Sequence, residues 1–330
     1  MCTFAHQKMI LVTGATGFLG AEVARQLAQT GKNVRCTKRA TSVIPEILKP
    51  YQGLIEWADA DMLDDYALED AFADVTQVYH AAAWVSLKQK DKKPMIAANI
   101  AGTANIVNLC LQYGCKLVHV SSIAALGLAK PGESITENHH LEATTENDGY
   151  AISKLESEME VWRGIAEGLN AVIVNPSLII GPNAGTEGTG ELFDTVRKGL
   201  KFYTTGTAGV VDVEDVAKSM IALMNSDITG ERYIINAENY SYKQLVEEIA
   251  QGFAIKPPTV KAKPWMMELA WRLAKAVSPF TGGNPFIDKI AAQSSYTIKH
   301  FDNSKIKKAI GIEFKPVSSS IKEVCNAMRS

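Results

Sequence analysis

The chain has 330 residues, 46% hydrophobic and 21% charged, enough for one large domain or two moderate ones with a sizeable core. Its net charge of −2 offers no field to draw in nucleic acid or an anionic membrane. Five cysteines (Cys2, Cys36, Cys110, Cys115, Cys325) form an odd set without CxxC spacing, which points to reduced thiols in the cytoplasm; His139-His140, with no nearby Cys, offers no metal site.

Met1–Gln7 has no basic region leading into an apolar core, so no secretory signal is expected. The first half of the chain then alternates strand and helix. Met9–Val12 reads as a strand ending in a Gly-rich turn, and Phe18–Gln29 as a helix stopped before Gly31. Strands follow at Asn33–Lys38, Leu54–Ala58, Val78–Ala83 and Lys116–Val120. A long helix, Met95–Tyr113, should end at Gly114, and a second, Gly149–Glu167, at Gly168. Ala171–Val174 is a strand stopped by Pro176. The pattern loosens through the loop Pro182–Gly190, then gives a strand at Glu231–Asn236 and a helix at Ser241–Phe253. Trp265–Phe280 is apolar but broken by Glu268, Arg272 and Lys275, so it reads as an amphipathic helix and no membrane span is expected. This order predicts an α/β chain: a Rossmann-type, doubly wound parallel sheet over 1–181, with return of 210–236, and a smaller, mostly helical substrate and lid region over 182–330.

Gly14-x-x-Gly17-x-x-Gly20 follows a strand and opens a helix. Glycines there allow a tight turn and close approach of backbone to a pyrophosphate, and the helix N-terminus favours negative charge. The second strand ends in Lys38-Arg39, where a site for NAD usually carries a carboxylate. Two cations there suit a 2′-phosphate, so NADP(H) is favoured, with NAD(H) open.

Tyr150 and Lys154 are four residues apart, so a helix puts them on one face. A phenol titrating near 10 is a poor donor, and a neighbouring ammonium would lower its pKa. With these motifs in this order, the chain resembles the extended short-chain dehydrogenase/reductases, within the NAD-dependent epimerase/dehydratase superfamily, over nearly its whole length. Thr13 to Gly20, including Thr16, Phe18 and Leu19, is similar to that family's phosphate turn. Asp61-Met62 resembles its adenine contact, and His80-Ala81-Ala82-Ala83 its fourth-strand motif beside the riboses. Asn99 matches the asparagine of the catalytic tetrad, Ser122 (with Ser121 before it) the catalytic serine, and Asn175-Pro176-Ser177 the segment that orients the nicotinamide. The resemblance implies that Tyr150 is the acid/base, that Lys154 holds the nicotinamide ribose and tunes Tyr150, that Ser122 binds the carbonyl oxygen, and that Asn99 supports a proton relay. His80 is given no proton-transfer role.

Nucleotide-sugar members usually carry Arg-Asp-aromatic before the Asp-Val-Ala helix; this chain has Gly209-Val210-Val211-Asp212-Val213-Glu214-Asp215-Val216-Ala217. The strand-two ending is similar to that of the dihydroflavonol and cinnamoyl reductases, which use NADPH. The reading is therefore an NADP(H)-dependent reductase of a ketone or aldehyde (or dehydrogenase of the alcohol) in the dihydroflavonol-reductase-like branch. Its substrate is a small, largely apolar molecule, met by Trp84, Ala124 and Trp265. Two alternatives stand beside it: a nucleotide-sugar epimerase or dehydratase with tightly bound NAD, whose diphosphate Arg197 or Arg272 would meet, and a non-catalytic cofactor-sensing regulator. A homodimer is expected through Met95–Tyr113 and Gly149–Glu167, with Ile96, Ile100, Ile106, Leu109, Ile152, Met159 and Trp162 as the apolar face. No metal, nucleic-acid or membrane partner is expected.

Overall fold

The computed structural model describes residues 9–86, 89–130, 132–142, 148–185, 188–269, 271–272 and 295–329. Through the first half it runs β1 (Met9–Thr13), α1 (Phe18–Gln29), β2 (Val34–Lys38), β3 (Ile55–Asp59), α2 (Asp65–Ala71), β4 (Val75–His80), α3 (Lys92–Tyr113), β5 (Lys116–Val120), α4 (Gly149–Ala166) and β6 (Ala171–Pro176). It continues with β7 (Leu178–Ile180), α5 (Thr189–Arg197), β8 (Phe202–Tyr203), β9 (Thr207–Asp212), α6 (Val213–Met224) and β10 (Glu231–Ile235). Last come β11 (Glu238–Ser241), α7 (Tyr242–Gly252), β12 (Val260–Lys261) and two further helices, Ser304–Ile310 and Val317–Ala327.

Seven strands form one sheet in the order β10-β6-β5-β4-β1-β2-β3, every pairing parallel. Alternate residues feed two buried faces. Leu11, Val78, Leu117 and Ile173 meet Ile106 and Val161 on one side, while Val12, Val118 and Val174 meet Val23, Leu27 and Val216 on the other. Burial on both faces is why the strands read as near-continuous apolar runs. The strand order reverses between β1 and β4, and in such sheets ligands bind outside the carboxyl ends of the strands at that crevice. A three-stranded sheet, β11-β9-β7, packs with α5, α7 and Val317–Ala327 around Phe193, Val210, Leu245, Ile249 and Ile321.

Several boundaries differ from the expectation. β4 covers Val75–His80, because Ala81-Ala82 leaves the ladder to run against the Gly14 turn. α3 starts at Lys92, since Pro94 fits the first turn, where its missing N–H has no intrahelical use; Gly114, at φ +67°, ends it. β6 runs on through Pro176 to pair with β10. The sequence reading had no α2, which Asp64 caps by accepting from the Ala67 N–H at 3.0 Å. Among the described residues, α3 is the one helix long and apolar enough by composition to cross a membrane; it lies against the sheet with Met95, Asn99, Gly102, Ile106 and Cys110 buried. Ile106, assigned above to a pairing face, is a core residue. Residues 264–269 are helical, and most of the rest of the expected helix Trp265–Phe280 lies outside the described residues, as does Met1–Gln7.

Candidate active site

The turn after β1 is shaped by contacts that only glycine allows. Gly14 sits at φ +73°, and a Cβ there would stand 2.6 Å from the Ala82 nitrogen; a Cβ at Gly20 would stand 2.2 Å from the Gly14 carbonyl oxygen. The Gly17 N–H donates to that same carbonyl at 2.9 Å. α1 opens at Gly17 with no side-chain cap and no acid in its first turn. Its leading N–H groups and the positive end of its dipole are thus open to an anion, the arrangement that suits a pyrophosphate. Phe18 lies behind the turn against Gly181.

His80 closes the floor of this crevice. Thr13 Oγ1 lies 2.7 Å from His80 Nδ1 and accepts from the Ala82 N–H at 3.3 Å, and His80 Nε2 lies 3.3 Å from Thr103 Oγ1. Burial, aided by the charge of Lys154, pushes the His80 pKa down to about 3, so the ring is a neutral clamp between two threonines. That agrees with giving it no proton-transfer role.

At the adenosine end the two expected cations differ. Lys38 forms an ion pair with Asp59, its register partner on β3. Arg39 is exposed, with no ion pair or side-chain hydrogen bond among the described residues, so it is the cation left for a phosphate. Asp61 Oδ1 accepts from the Leu63 N–H at 3.0 Å. The neighbouring Met62 packs where a Cβ on Gly102 would come within 2.6 Å of its side chain, and Asn105 donates to the Met62 carbonyl at 3.1 Å. Gly102 and Asn105 of α3 thereby shape the Asp61-Met62 turn.

The reacting groups meet at the ends of β5 and β6. Asp148 caps α4 by accepting from the Tyr150 N–H at 3.2 Å. Tyr150 and Lys154 follow one turn apart. The Ser122 hydroxyl accepts from the Ala124 N–H at 3.1 Å and acts on the Tyr150 phenol in the direction of a lower pKa. Lys154 Nζ donates to the Val120 carbonyl at 2.9 Å. Burial lowers its pKa to about 8, with Glu158 acting the other way. Tyr150 departs from the expectation: its pKa is raised, by burial first and by the Asp148 charge, with the Ser122 bond opposing. Lys154 is directed at a backbone carbonyl, and burial outweighs any pull it has on the phenol.

Asn99 is committed to structure. Its Oδ1 accepts from the Trp84 N–H at 2.7 Å, and its Nδ2 donates to the Trp84 carbonyl at 2.8 Å and to Ser153 Oγ at 2.7 Å. It therefore anchors the loop after β4, on which Trp84 is exposed. Asn175 Nδ2 donates to the Ser122 carbonyl at 3.0 Å, and the Ser177 N–H to the Ile235 carbonyl at 3.0 Å. Asn175 Oδ1 and Ser177 Oγ, next to Pro176, have no partner among the described residues. Trp265 is exposed. Arg197 pairs with Asp194 at 2.7 Å and Arg272 with Glu268 at 2.7 Å, each on its own helix.

Sequence reasoning missed Glu158 and Arg232, a buried pair at 2.9 Å directly behind the site. The recurrence of Tyr150, Lys154 and Glu158 at four-residue spacing was the signal available for the first of them.

Residues 10–236 match the sequence model of the NAD-dependent epimerase/dehydratase family. A curated relative from Synechocystis sp., named "Putative dihydroflavonol 4-reductase", is 30% identical over 320 residues, covering 94% of this chain and 91% of its own. The crystal structure of a protein named gox2253 is 30% identical with a TM-score of 0.85, each chain covered to 98%. A UDP-glucose 4-epimerase from Thermus thermophilus, solved in complex with NAD, has a TM-score of 0.76 at 21% identity, with 98% of this chain and 99% of that one covered; at that identity the likeness is one of fold.

Proposed function

The chain belongs to the NAD-dependent epimerase/dehydratase family as an NAD(P)-dependent oxidoreductase, and we propose that it uses NADPH to reduce a ketone or aldehyde of a small, largely apolar compound. The observation that carries the reading is the grouping of Ser122, Tyr150 and Lys154 at the carboxyl ends of β5 and β6, with Lys154 one turn behind Tyr150 and donating to the Val120 carbonyl at 2.9 Å. The reductase name of the Synechocystis relative supports the direction. So do Arg197 and Arg272, each of which pairs with an acid on its own helix.

When bound, the nicotinamide cofactor supplies the hydride. The open N-terminus of α1 and the Gly14–Gly20 turn hold its pyrophosphate, Arg39 meets the 2′-phosphate, and Asp61-Met62 borders the adenine. Ser122 and Tyr150 donate to the carbonyl oxygen of the substrate, where negative charge grows. Tyr150 then gives up its phenolic proton to that oxygen. A raised pKa keeps Tyr150 protonated at neutral pH, the form a reductase needs at the start. Lys154, buried and cationic below about pH 8, stabilises the phenolate that remains. Trp84, Ala124 and Trp265 border the substrate.

The test is a turnover and thermal-shift panel with cofactor present. NADPH consumption would be followed against ketones and aldehydes, with UDP- and GDP-sugars in parallel. Net NADPH loss with an apolar carbonyl compound is the expected result. Stabilisation by UDP or a UDP-sugar, with epimerised product and no net NADPH loss, would move the assignment to a nucleotide-sugar epimerase.

A further inference from the structure

A second polar centre lies behind Ser122, Tyr150 and Lys154, and the reaction above leaves it without a role. Glu158 stands one helical turn beyond Lys154 and is 1% exposed. Its carboxylate accepts from Ser121 Oγ at 2.6 Å, Asn175 Nδ2 at 2.9 Å, Trp162 Nε1 at 3.2 Å and Arg232 Nη1 at 2.9 Å. These donors come from the end of β5, from β6, from α4 itself and from β10. The Asn175 amide also donates to the Ser122 carbonyl at 3.0 Å, so the Ser121-Ser122 backbone is held at two points.

Arg232, itself buried, spends its other N–H groups on the segment between the serine and the tyrosine. Nε donates to the Glu137 carbonyl at 2.8 Å, and Nη2 donates to that carbonyl and to the His139 carbonyl at 2.9 Å. Nη2 also lies 3.3 Å from His140 Nδ1. Glu137 in turn accepts from the Ile234 N–H through Oε1 at 2.9 Å. One ion pair thus ties together the backbone that aims Ser122, the helix that bears Tyr150 and Lys154, and segment 137–140.

We propose that Glu158 and Arg232 are positioning residues for hydride transfer, setting Ser122, the Tyr150–Lys154 face of α4 and segment 137–140 as one unit. The proposal rests on the Ser122–Tyr150–Lys154 reading given above. A buried ion pair seldom adds net stability over apolar packing, so stability is a weak reason for its presence. A fully bonded network instead rigidifies what it touches, and this one touches the Ser121-Ser122 strand end, α4 and the backbone of segment 137–140. Charge follows the same geometry. Lys154 is faced by Tyr150 and Glu158 on its own helix, by His80 from β4 and by His119 from β5; both histidines are held neutral, and Glu158 favours the ammonium.

Two variants test this on the full chain with NADPH. Glu158→Gln keeps the shape and removes the charge. Its kcat should fall roughly ten- to a hundredfold, the scale of a small misplacement of reacting groups. The alkaline limb of its kcat/KM profile should move to lower pH by about one unit, because Lys154 loses its anion. NADPH binding, followed by fluorescence, should show the same pH shift. Arg232→Lys keeps the charge and loses the planar fork, so its limb should stay in place while KM for the carbonyl substrate rises several-fold. Unchanged kcat, KM and pH limb in folded variants would overturn the proposal. If one variant does not fold, the other decides alone. If neither folds, the pair is a core element and the proposal is overturned. Tyr150→Phe, assayed alongside, separates the two claims. Full activity there would defeat the site reading itself, whereas an inactive Tyr150→Phe beside wild-type behaviour of the pair variants would defeat the positioning proposal alone.

Discussion

Acid should destabilise the protein well above the carboxylate range, because two neutral histidines are locked beneath α3. His80 on β4 and His119 on β5 are register partners with ring centroids 5.3 Å apart. Burial lowers both pKa values, that of His80 to about 3 and that of His119 well below the usual histidine range. A folded pKa below the unfolded value of about 6.5 means that stability is full above that value and declines as pH falls toward the folded pKa. At pH 5, His80 alone should cost about 2 kcal/mol, rising to roughly 4–5 kcal/mol near pH 3. For a chain of 330 residues, about 2 kcal/mol lowers Tm by roughly 3 °C. His119 adds to this in the same direction. Lys154, still mostly protonated at pH 7.5 in the folded state, adds only about 0.2 kcal/mol between pH 7.5 and 5.

A thermal-shift series between pH 7.5 and 5, without cofactor, reads the effect before most carboxylates titrate. His119→Phe is the informative perturbation. Neither His119 ring nitrogen has a partner among the described residues, and an unsatisfied buried polar group costs about 1–3 kcal/mol. The variant should be at least as stable as the parent at pH 7.5 and should lose less Tm on acidification. A parent Tm that stays flat from pH 7.5 to 5, or a His119→Phe slope equal to the parent's, would refute the reasoning.

Tyr150→Phe removes the proton donor and keeps the ring, so NADPH should still bind while kcat falls roughly 10²–10⁴-fold, checked by fluorescence titration and steady-state assay. Arg39→Ala should erase most of an NADPH preference of roughly ten- to a hundredfold, the scale of a charge-assisted phosphate contact, whereas Lys38→Ala, already committed to Asp59, should change it little; calorimetry with NADP⁺ and NAD⁺ reads both, and tighter NAD⁺ binding by the parent would contradict the preference. A homodimer through α3 and α4 should give twice the chain mass of 35.8 kDa by light scattering at micromolar concentration, with Met159 and Tyr113 as exposed apolar side chains on those helices; a monomer mass would reject it.

What the sequence made legible was local. The glycine turn showed because its contacts lie within a few residues and one neighbouring strand. Tyr150 and Lys154 showed because helical spacing alone puts them on one face. What stayed hidden depends on pairs distant in sequence. Lys38 and Arg39 are equivalent in the sequence; the register of β2 on β3 sets Asp59 against Lys38 and leaves Arg39 without an ion pair among the described residues. Asn99 matches the tetrad asparagine in the sequence, but that its amide also anchors the loop after β4 and Ser153 of α4 is visible only once the chain folds. Glu158 looks like one acid among several on a helix, because its partners Ser121 and Arg232 lie 37 and 74 residues away. The Tyr150 pKa is raised where a neighbouring ammonium alone would lower it, because helical spacing shows a nearby charge but does not show burial.

That displaced pKa bears on which way the chemistry runs. A nucleotide-sugar epimerase with bound NAD begins by oxidising its substrate, so its tyrosine must start as a base, and every influence that raises the phenol pKa opposes that start. A reductase begins with the donor protonated, and the same influences then serve it. In this chain burial and Asp148 both hold Tyr150 in its neutral form, with the Ser122 bond as the opposing influence. Asp148 also caps α4, so the residue that places Tyr150 at the start of its helix adds a small push in the same direction as burial. The fold is shared between epimerases and reductases, as the likeness to the Thermus enzyme shows, and so cannot separate them. Net NADPH consumption on turnover can, because an epimerase returns the hydride to its own substrate within one cycle, whereas a reductase does not.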